Sequence, residues 1–233
     1  MLPFLSTIPK IAIIGFLLFF FDNLTLDLDN KVIMVVLFVS LVSIIFGSIL
    51  TIRQDNLLRL LAYSGIPHVG IMLIGIMVPN NISSDFLVLY FTFYIFANVG
   101  LYVCLNSLPK ANENYGLDKL NSLYKNSPLL AISMSCFLLS LAGAPLLGGF
   151  WGKFNIALIS YKAYGLFLPS LILISALISF YYYLRIIKAI FGDKRPSQSE
   201  NINFSIVNKI IIAICVFITV LLGVHPNILA VLI

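Results

Sequence analysis

The apolar run from Leu129 to Ser160 limits what this chain can fold into more than any other stretch. Lys153 is its only charged residue. As one straight helix, its 32 residues (129 to 160) would be about 48 Å long, whereas the hydrocarbon core of a membrane is about 30 Å thick. Gly143, Pro145 and Gly149 lie within the run, and proline interrupts a helix because it lacks an amide donor and clashes with the preceding turn. We therefore expect a membrane helix that is broken near these residues.

The position of Lys153 just after the expected break indicates a functional site. Irregular backbone at membrane depth is tolerated only where protein or a water-filled cavity covers it. A lysine at the centre of a membrane helix costs about 2.5–3.5 kcal/mol on insertion scales, so it avoids lipid. The pattern predicts a buried, hydrated site that handles ions. The alternative is a proline-kinked span whose lysine extends to the membrane interface.

Composition places the whole chain in a membrane. Of its 233 residues, 61% are hydrophobic and 10% are charged, whereas soluble domains carry about 25% charged residues. The net charge of +5 comes from short loops, which is typical of membrane topology and not of a nucleic-acid surface. The apolar runs are too long for barrel strands. Hydropathy predicts seven helical spans: Leu2–Phe21, Val32–Ile52, Leu57–Val78, Phe86–Ser107, the broken Leu129–Ser160, Leu166–Phe191 and Ile206–Leu222.

The distribution of basic residues predicts the orientation of the spans. The connections after spans one, three and five hold only Lys31 and Lys162. The connections after spans two, four and six, together with the span ends that flank them, hold ten basic residues: Arg53, Arg59, Lys110, Lys119, Lys125, Arg185, Lys188, Lys194, Arg195 and Lys209. Since basic loops stay on the matrix or cytoplasmic side, the loop 109–127 should face that side and the C-terminus the opposite one.

Two further ionisable residues lie at membrane depth. Lys10 follows Pro9 in the first span, and its alternative interpretation is a side chain that extends to the nearby interface. His68 lies about 16 Å along its helix, with Ser64 one turn away on the same face, and it is a candidate proton relay or a simple hydrogen bonder. All nine carboxylates lie at or beyond span ends. We therefore expect the acidic partner of these groups to come from another chain.

Other signals are weaker. Tyr181–Arg185 near the basic end of span six fits an aromatic belt with an anchoring arginine. Cys104, Cys136 and Cys215 lie singly in apolar spans without metal-ligand or disulfide spacing, so we interpret them as packing residues. Motifs for nucleotide binding, zinc or a nucleophile are missing from the sequence.

Four motifs together resemble NADH dehydrogenase subunit 2, an antiporter-like membrane subunit of respiratory complex I. The segment 54–70, with Arg-Leu-Leu-Ala-Tyr63-Ser64 and His68, is similar to the family's R-L-L-A-Y-S-S-I-x-H-x-G. Ser140 to Phe154 is similar to S-L-A-G-I-P-x-x-G-F-x-G-K-F, and residues 181–185 to Y-Y-Y-L-R. The segment Ile8–Ile11 resembles the family's mid-chain lysine helix.

The resemblance implies an all-α integral membrane fold of about seven transmembrane helices, one of them broken. Residues 1–233 would form a single membrane domain, with 1–21 resembling the end of a first five-helix repeat, 32–191 the second inverted repeat and 205–233 a final helix and tail. The first repeat's own broken helix has no counterpart in this sequence. We therefore expect the C-terminal half of such a subunit, with a separate N-terminal-half chain as its companion.

The resemblance also implies a function. The chain would be a proton-translocating subunit of NADH:ubiquinone oxidoreductase in the mitochondrial inner membrane, partnered by other membrane-arm subunits and the lipid bilayer, with no nucleic acid. Lys10, His68 and Lys153 would form the proton path. Tyr63 and Ser64 would order water, and Gly143, Pro145 and Gly149 would open the helix. NADH, FMN, iron–sulfur clusters and ubiquinone would bind other subunits. The alternatives are a cation/proton antiporter subunit and a structural scaffold without transport.

Overall fold

The computed structural model describes residues 2–23, 30–78, 82–108, 116–192 and 205–225, and their regular structure is helical. Nine α-helices follow one another in these ranges: α1 (Leu2–Asn23), α2 (Asn30–Ile52), α3 (Leu57–Ile76), α4 (Ile82–Asn106), α5 (Leu123–Asn126), α6 (Pro128–Ala142), α7 (Gly148–Tyr164), α8 (Phe167–Phe191) and α9 (Ile206–Val224). The expected all-α membrane fold with one broken helix is confirmed.

Length and apolar composition allow five of these helices to cross a membrane: Lys31–Ile52, Leu57–Ile76, Ser84–Asn106, Phe167–Phe191 and Ile206–Val224. Shorter apolar stretches, Ala12–Phe21 and Pro128–Ala142, belong to α1 and to the first half of the broken helix. Span boundaries differ from hydropathy by a few residues. The short helix α5 and the 3₁₀ turn Leu117–Leu120 in the basic loop were not predicted.

The centre of the bundle is formed by α3, α4, α6 and α7, whereas α2 keeps a broad apolar face exposed. Glycines allow α2 and α3 to approach closely. A side chain at Gly47 would meet Pro67, and one at Gly70 would meet Ile44. Such small-residue contacts are a common means of packing membrane helices, because helices gain little from hydrophobic burial within lipid.

The connection between α2 and α3 is fixed by side chains. Asn56 caps α3, because its side-chain oxygen accepts hydrogen bonds from the amides of Leu58 (3.0 Å) and Arg59 (3.3 Å). Residue 56 also pairs with Gly116 from the basic loop. These contacts set the position of α3 and therefore of His68 within the bundle.

Candidate functional site

The site is centred on the ammonium group of Lys153, which is buried with 6% of the residue exposed. Its Nζ donates to the carbonyl oxygens of Leu141 (2.8 Å) and Ala142 (2.9 Å). A third bond goes to the hydroxyl of Ser179 on α8, at 3.3 Å. The side chain therefore points into the protein, and the alternative of a lysine that extends to the membrane interface does not fit.

The break between α6 and α7 explains why two carbonyl groups are free to bind the lysine. Gly143 adopts the left-handed conformation (φ 92°), and its amide bonds back to Ser140 (3.0 Å) while the amide of Ala144 bonds to Leu139 (2.9 Å). This is a Schellman cap. It satisfies Leu139 and Ser140 but leaves the carbonyls of Leu141 and Ala142 without amide partners, and Lys153 binds these two.

Helix geometry makes this end of α6 favourable for a cation. The C-terminus of a helix carries a partial negative charge from its aligned peptide dipoles. Lys153 lies in the second turn of α7, which begins at Gly148, so its side chain can reach back across the break. The irregular segment between the helices includes Leu146, a non-glycine residue at φ 73°, which is a strained conformation.

Small residues allow the two half-helices to approach one another. A side chain at Gly149 would collide with the carbonyl oxygen of Ser140, and one at Gly143 would lie 3.3 Å from Cδ of Lys153. Gly152 packs in the same way against Tyr90 and Phe93 of α4. Pro145 faces outward on the break. The structure thus places Gly143 at the C-terminal cap of α6 and Gly149 in the first turn of α7, on the two sides of the break.

His68 lies in the middle of α3 and is buried. Its Nδ1 shares a hydrogen bond with the hydroxyl of Tyr90 (2.9 Å), and its ring lies 5.1 Å from that of Tyr94. Its Nε2 is buried without a hydrogen-bond partner among the described residues. Buried polar atoms without a protein partner are places where an internal water binds.

Lys10 reaches the same cluster from α1. A side chain at Gly65 would collide with the ammonium of Lys10 and lie 3.1 Å from the hydroxyl of Tyr94, so Lys10 points at α3 one turn before His68. Lys153 lies on α7, and α3 packs against both α1 and α7. The three predicted site residues thus form an array on three helices, in which His68 and Lys153 are buried and Lys10 is half-buried.

Ser64 and Tyr63, the two residues expected to order water, differ in burial and contacts. Ser64 is buried one turn from His68, and its hydroxyl donates to the carbonyl of Leu61 at 2.8 Å. Tyr63 is half-buried, and within the described ranges no hydrogen bond joins it to the array. Its expected role in ordering water therefore has no contact to support it.

Sequence reasoning missed Ser179, Tyr90 and Tyr94 as parts of the site. A signal for the tyrosines was available, since Tyr90, Tyr94, Asn98 and Tyr102 recur at intervals of four residues on α4 and all four are buried. Residues with this spacing share one helix face. A polar stripe on a membrane helix faces protein or water. Here Tyr90 and Tyr94 of the stripe lie against His68.

The aromatic-belt interpretation of 181–185 is wrong for most of its residues. Tyr182 and Tyr183 are buried in the core, whereas Tyr181 (60%) and Leu184 (47%) are exposed. Arg185 donates to the backbone carbonyls of Ile52 and Gln54, at the end of α2. Residues 181–185 alternate between core and surface because only one face of α8 packs against the bundle. Arg185 links α8 to the end of α2 and is not an anchor to lipid headgroups.

The protein is an all-helical membrane protein. One of its helices is interrupted, and a buried lysine binds at the interruption. The family model described as "NADH:quinone oxidoreductase/Mrp antiporter, TM" matches residues 3–179. The chain therefore belongs to this family, which confirms the resemblance to antiporter-like subunits.

Similar curated proteins are subunits of NADH-quinone oxidoreductases. Subunit N from Paramagnetospirillum magneticum is 36% identical over 193 residues, covering 82% of this chain and 39% of the relative. Subunit N from Bacillus anthracis is 31% identical over 236 residues, covering 97% and 46%. The chloroplast NAD(P)H-quinone oxidoreductase subunit 2 of Zygnema circumcarinatum is 34% identical over 194 residues, covering 79% and 39%. The chain thus spans less than half the length of these relatives.

Solved structures agree on the fold. A chain of respiratory complex I from Thermus thermophilus superposes with a TM-score of 0.74 at 27% identity, covering 83% of this chain and 44% of that one. A chain of the Mrp complex from Dietzia sp. superposes with a TM-score of 0.73 at 15% identity, covering 84% and 45%. The second likeness concerns the fold alone.

Proposed function

We propose that the chain carries protons through the membrane arm of a complex I-type NADH:quinone oxidoreductase, with Lys10, His68 and Lys153 as the groups that hold the proton. Similarity to subunit N and to a chain of complex I supports this assignment. Under this proposal the redox groups, NADH, FMN, iron–sulfur clusters and ubiquinone, belong to other subunits. Proton movement would be the contribution of this chain.

One observation carries the proposal: the freed carbonyls of the broken helix hold the ammonium of Lys153. Among the described residues no carboxylate pairs with this lysine, and neutral dipoles, the carbonyls of Leu141 and Ala142, balance its charge. A charge without a counter-ion in an apolar region is only weakly favoured over the neutral amine. Such a lysine can therefore bind and release a proton at modest cost.

Unpaired polar atoms support a hydrated path around the lysine. Nε2 of His68 and Oγ of Ser140 are both buried without a hydrogen-bond partner among the described residues. Ser140 lies on the last turn of α6, next to the break, and His68 lies on α3, which packs against α7. Waters at these atoms would satisfy them and could pass a proton between Lys153 and His68.

The test compares Lys153→Ala with Lys162→Ala in the assembled, membrane-bound complex. Lys162 lies on the same helix, α7, but is exposed in its last turn, so it is the matched control. We expect Lys153→Ala to assemble and to pump fewer protons per electron pair, while Lys162→Ala pumps normally. Wild-type pumping by assembled Lys153→Ala would refute the proposal.

We further propose that a separate N-terminal-half chain packs against α1 and corresponds to the part of the similar proteins that this sequence does not cover. Lys10 is only half-buried, and an ammonium at membrane depth does not face lipid. A companion with a broken helix, a lysine and a carboxylate would cover it. Mass spectrometry of the native complex should find this polypeptide. A complex whose α1 contacts only lipid would contradict the proposal.

The mitochondrial inner membrane remains our prediction for the location. It rests on the sequence resemblance alone, since the relatives described above are bacterial and chloroplast proteins. Cell fractionation with an antibody against the native chain would test it: co-migration with an inner-membrane marker is expected, and co-migration with a thylakoid or other membrane marker would contradict it.

A cation/proton antiporter is the second candidate, and the oxygen atoms around Lys153 favour it. Two carbonyls and the hydroxyl of Ser179 converge on one point, and half-helix C-termini of this kind bind Na⁺ in transporters. Uptake of ²²Na⁺ by proteoliposomes, driven by a pH gradient without NADH, would identify this activity. A complex I subunit predicts no such uptake and predicts proton movement that depends on NADH.

A further inference from the structure

We propose that Ser179 is the residue through which Lys153 exchanges its proton, with the serine hydroxyl alternating between accepting from and donating to Nζ. This inference rests on the proposed function of Lys153. Ser179 lies on α8, more than 25 residues after the lysine, and is not among the motif residues that suggested a proton path. Its proposed role follows from the hydrogen bonds that Nζ of Lys153 forms.

The protonated lysine uses all of its donors in the observed arrangement. An ammonium group has three N–H bonds and no acceptor. Two of them go to the carbonyls of Leu141 and Ala142, and the third goes to Oγ of Ser179 at 3.3 Å. Carbonyl oxygens only accept hydrogen bonds. The carbonyls of Leu141 and Ala142 can therefore bind N–H groups of Lys153 whether the lysine is protonated or neutral.

The neutral amine needs a different third partner. When the lysine loses a proton, it keeps two N–H donors and gains a lone pair that requires a donor. A hydroxyl is the one group at this nitrogen that can accept from the ammonium and donate to the amine. In the structure the hydroxyl lies near two backbone carbonyls, with Oγ 2.7 Å from the oxygen of Ala176 and 3.1 Å from that of Ala142, and it can donate its single hydrogen to one of them at a time. Rotation about Cα–Cβ and the C–O bond can redirect the hydroxyl hydrogen, because a serine side chain is short.

The transfer step conserves atoms and charge. The N–H bond of Lys153 that points at Ser179 breaks, and its proton forms a new O–H bond on Oγ. The former hydroxyl hydrogen passes at the same time to a water molecule next to Ser179, which becomes a hydronium ion. The step ends with a neutral amine whose lone pair accepts from the serine, and the reverse step reloads the lysine.

The surface of α8 around Ser179 is suited to such a water. Ser175, Ser179 and Tyr183 follow at intervals of four residues, so they share one helix face, and all three are buried. The hydroxyl of Tyr183 forms no hydrogen bond to a described residue. Ser175 lies 3.4 Å from Ser48 of α2, measured between the hydroxyl oxygens. A hydroxyl-lined face of this kind gives a water several partners within an otherwise apolar bundle.

The experiment uses the assembled complex with four variants. Ser179→Ala removes the hydroxyl and Ser179→Thr retains it. Ser170→Ala, in the first turn of the same helix, removes a hydroxyl that bonds only to the backbone of its own turn, at 2.7 Å to Phe167. Lys153→Ala reports whether the proposed function itself holds. Proton pumping per electron pair and its rate are measured on complexes matched for assembly, in H₂O and in D₂O.

We expect Ser179→Ala to lower the pumping rate roughly ten-fold, since a hydrogen bond to a charged group contributes about that factor. Ser179→Thr should restore most of the rate, and Ser170→Ala should pump normally. The solvent isotope effect should be larger in the wild type than in Ser179→Ala, where the relay is missing.

Three results overturn the inference. If assembled Ser179→Ala pumps like the wild type while Lys153→Ala does not, the lysine carries protons without Ser179. If both pump normally, the proposed function fails as well. If Ser179→Thr assembles and pumps no better than Ser179→Ala, the hydroxyl is not the group that matters.

Discussion

Nζ of Lys153 lies 2.8 Å from the carbonyl oxygen of Leu141, twelve residues earlier in the chain and on the opposite side of a helix break. In a continuous helix this carbonyl would pair with the amide of residue 145, but Pro145 has no N–H, so the lysine supplies the missing donor. Helix break and lysine form one structural unit, because each satisfies the other's polar groups. This explains why Gly143, Pro145 and Lys153 occur within one short segment of an apolar sequence.

The close contact between α6 and α7 predicts that Gly149→Ala disrupts the site. The added methyl group would overlap the carbonyl oxygen of Ser140, so the half-helices must separate, at a cost of about 1–3 kcal/mol. We expect less assembled complex and a lower melting temperature in a thermal-stability assay. Gly15→Ala on α1 is the control, since nothing lies within 4 Å of its added methyl, and it should be neutral or slightly stabilising. Equal stability of the two variants would contradict the packing described.

Arg185 should matter through its backbone contacts and not through its ion pair. Its guanidinium donates to the carbonyls of Ile52 and Gln54, whereas its partner Asp55 lies 3.6 Å away with 93% of its side chain exposed. Exposed pairs contribute about 0–1 kcal/mol. Arg185→Ala should destabilise the complex in a melting assay, and Asp55→Asn should change it little. A larger effect for Asp55→Asn would show that the ion pair dominates.

Tyr183 and Tyr181 provide a matched pair of tyrosines on α8. The hydroxyl of Tyr183 is buried without a bond to a described residue, so Tyr183→Phe should not destabilise the fold and could stabilise it. If this hydroxyl holds water for proton transfer, the same variant should pump more slowly. Tyr181→Phe, at an exposed position, should change neither property. Slower unfolding together with unchanged pumping in Tyr183→Phe would assign the residue to packing alone.

The charge distribution predicts the side on which each loop is accessible. Asn126 is exposed in α5 of the basic loop, and Lys162 is exposed at the other end of the broken helix. In oriented membranes a membrane-impermeant maleimide should label Asn126→Cys only from the matrix or cytoplasmic side and Lys162→Cys only from the opposite side. Labelling of both from one side would contradict the topology. The unsubstituted chain, with Cys104 and Cys215 buried, gives the background.

The sequence predicted the parts of the fold that depend on local chemistry. A 20-residue apolar helix and a proline–glycine interruption have few alternative structures in lipid, so the spans and the break between α6 and α7 were predicted to within a few residues. Lys10, His68 and Lys153 were recognisable because ionisable groups are rare at membrane depth. Their common location required the tertiary fold.

Other residues of the site were not predictable from single positions. Ser179 is one of many serines in the spans, and only the crossing of α8 over the break brings it to Lys153. Tyr182 and Tyr183 were assigned to the membrane interface because tyrosines near a basic helix end are common there, but the packing of α8 buries them. The four-residue spacing of Ser175, Ser179 and Tyr183 places them on one face of α8, but it does not show that this face meets Lys153.

The most direct test of the central claim, that Lys153 carries the proton, is the number of protons pumped per electron pair by the assembled Lys153→Arg complex. Arginine keeps the positive charge and can still donate to the carbonyls of Leu141 and Ala142, but its guanidinium does not release a proton in proteins. We predict normal assembly with a reduced ratio. A wild-type ratio would show that the charge at this position is structural and that Lys153 is not an obligatory carrier.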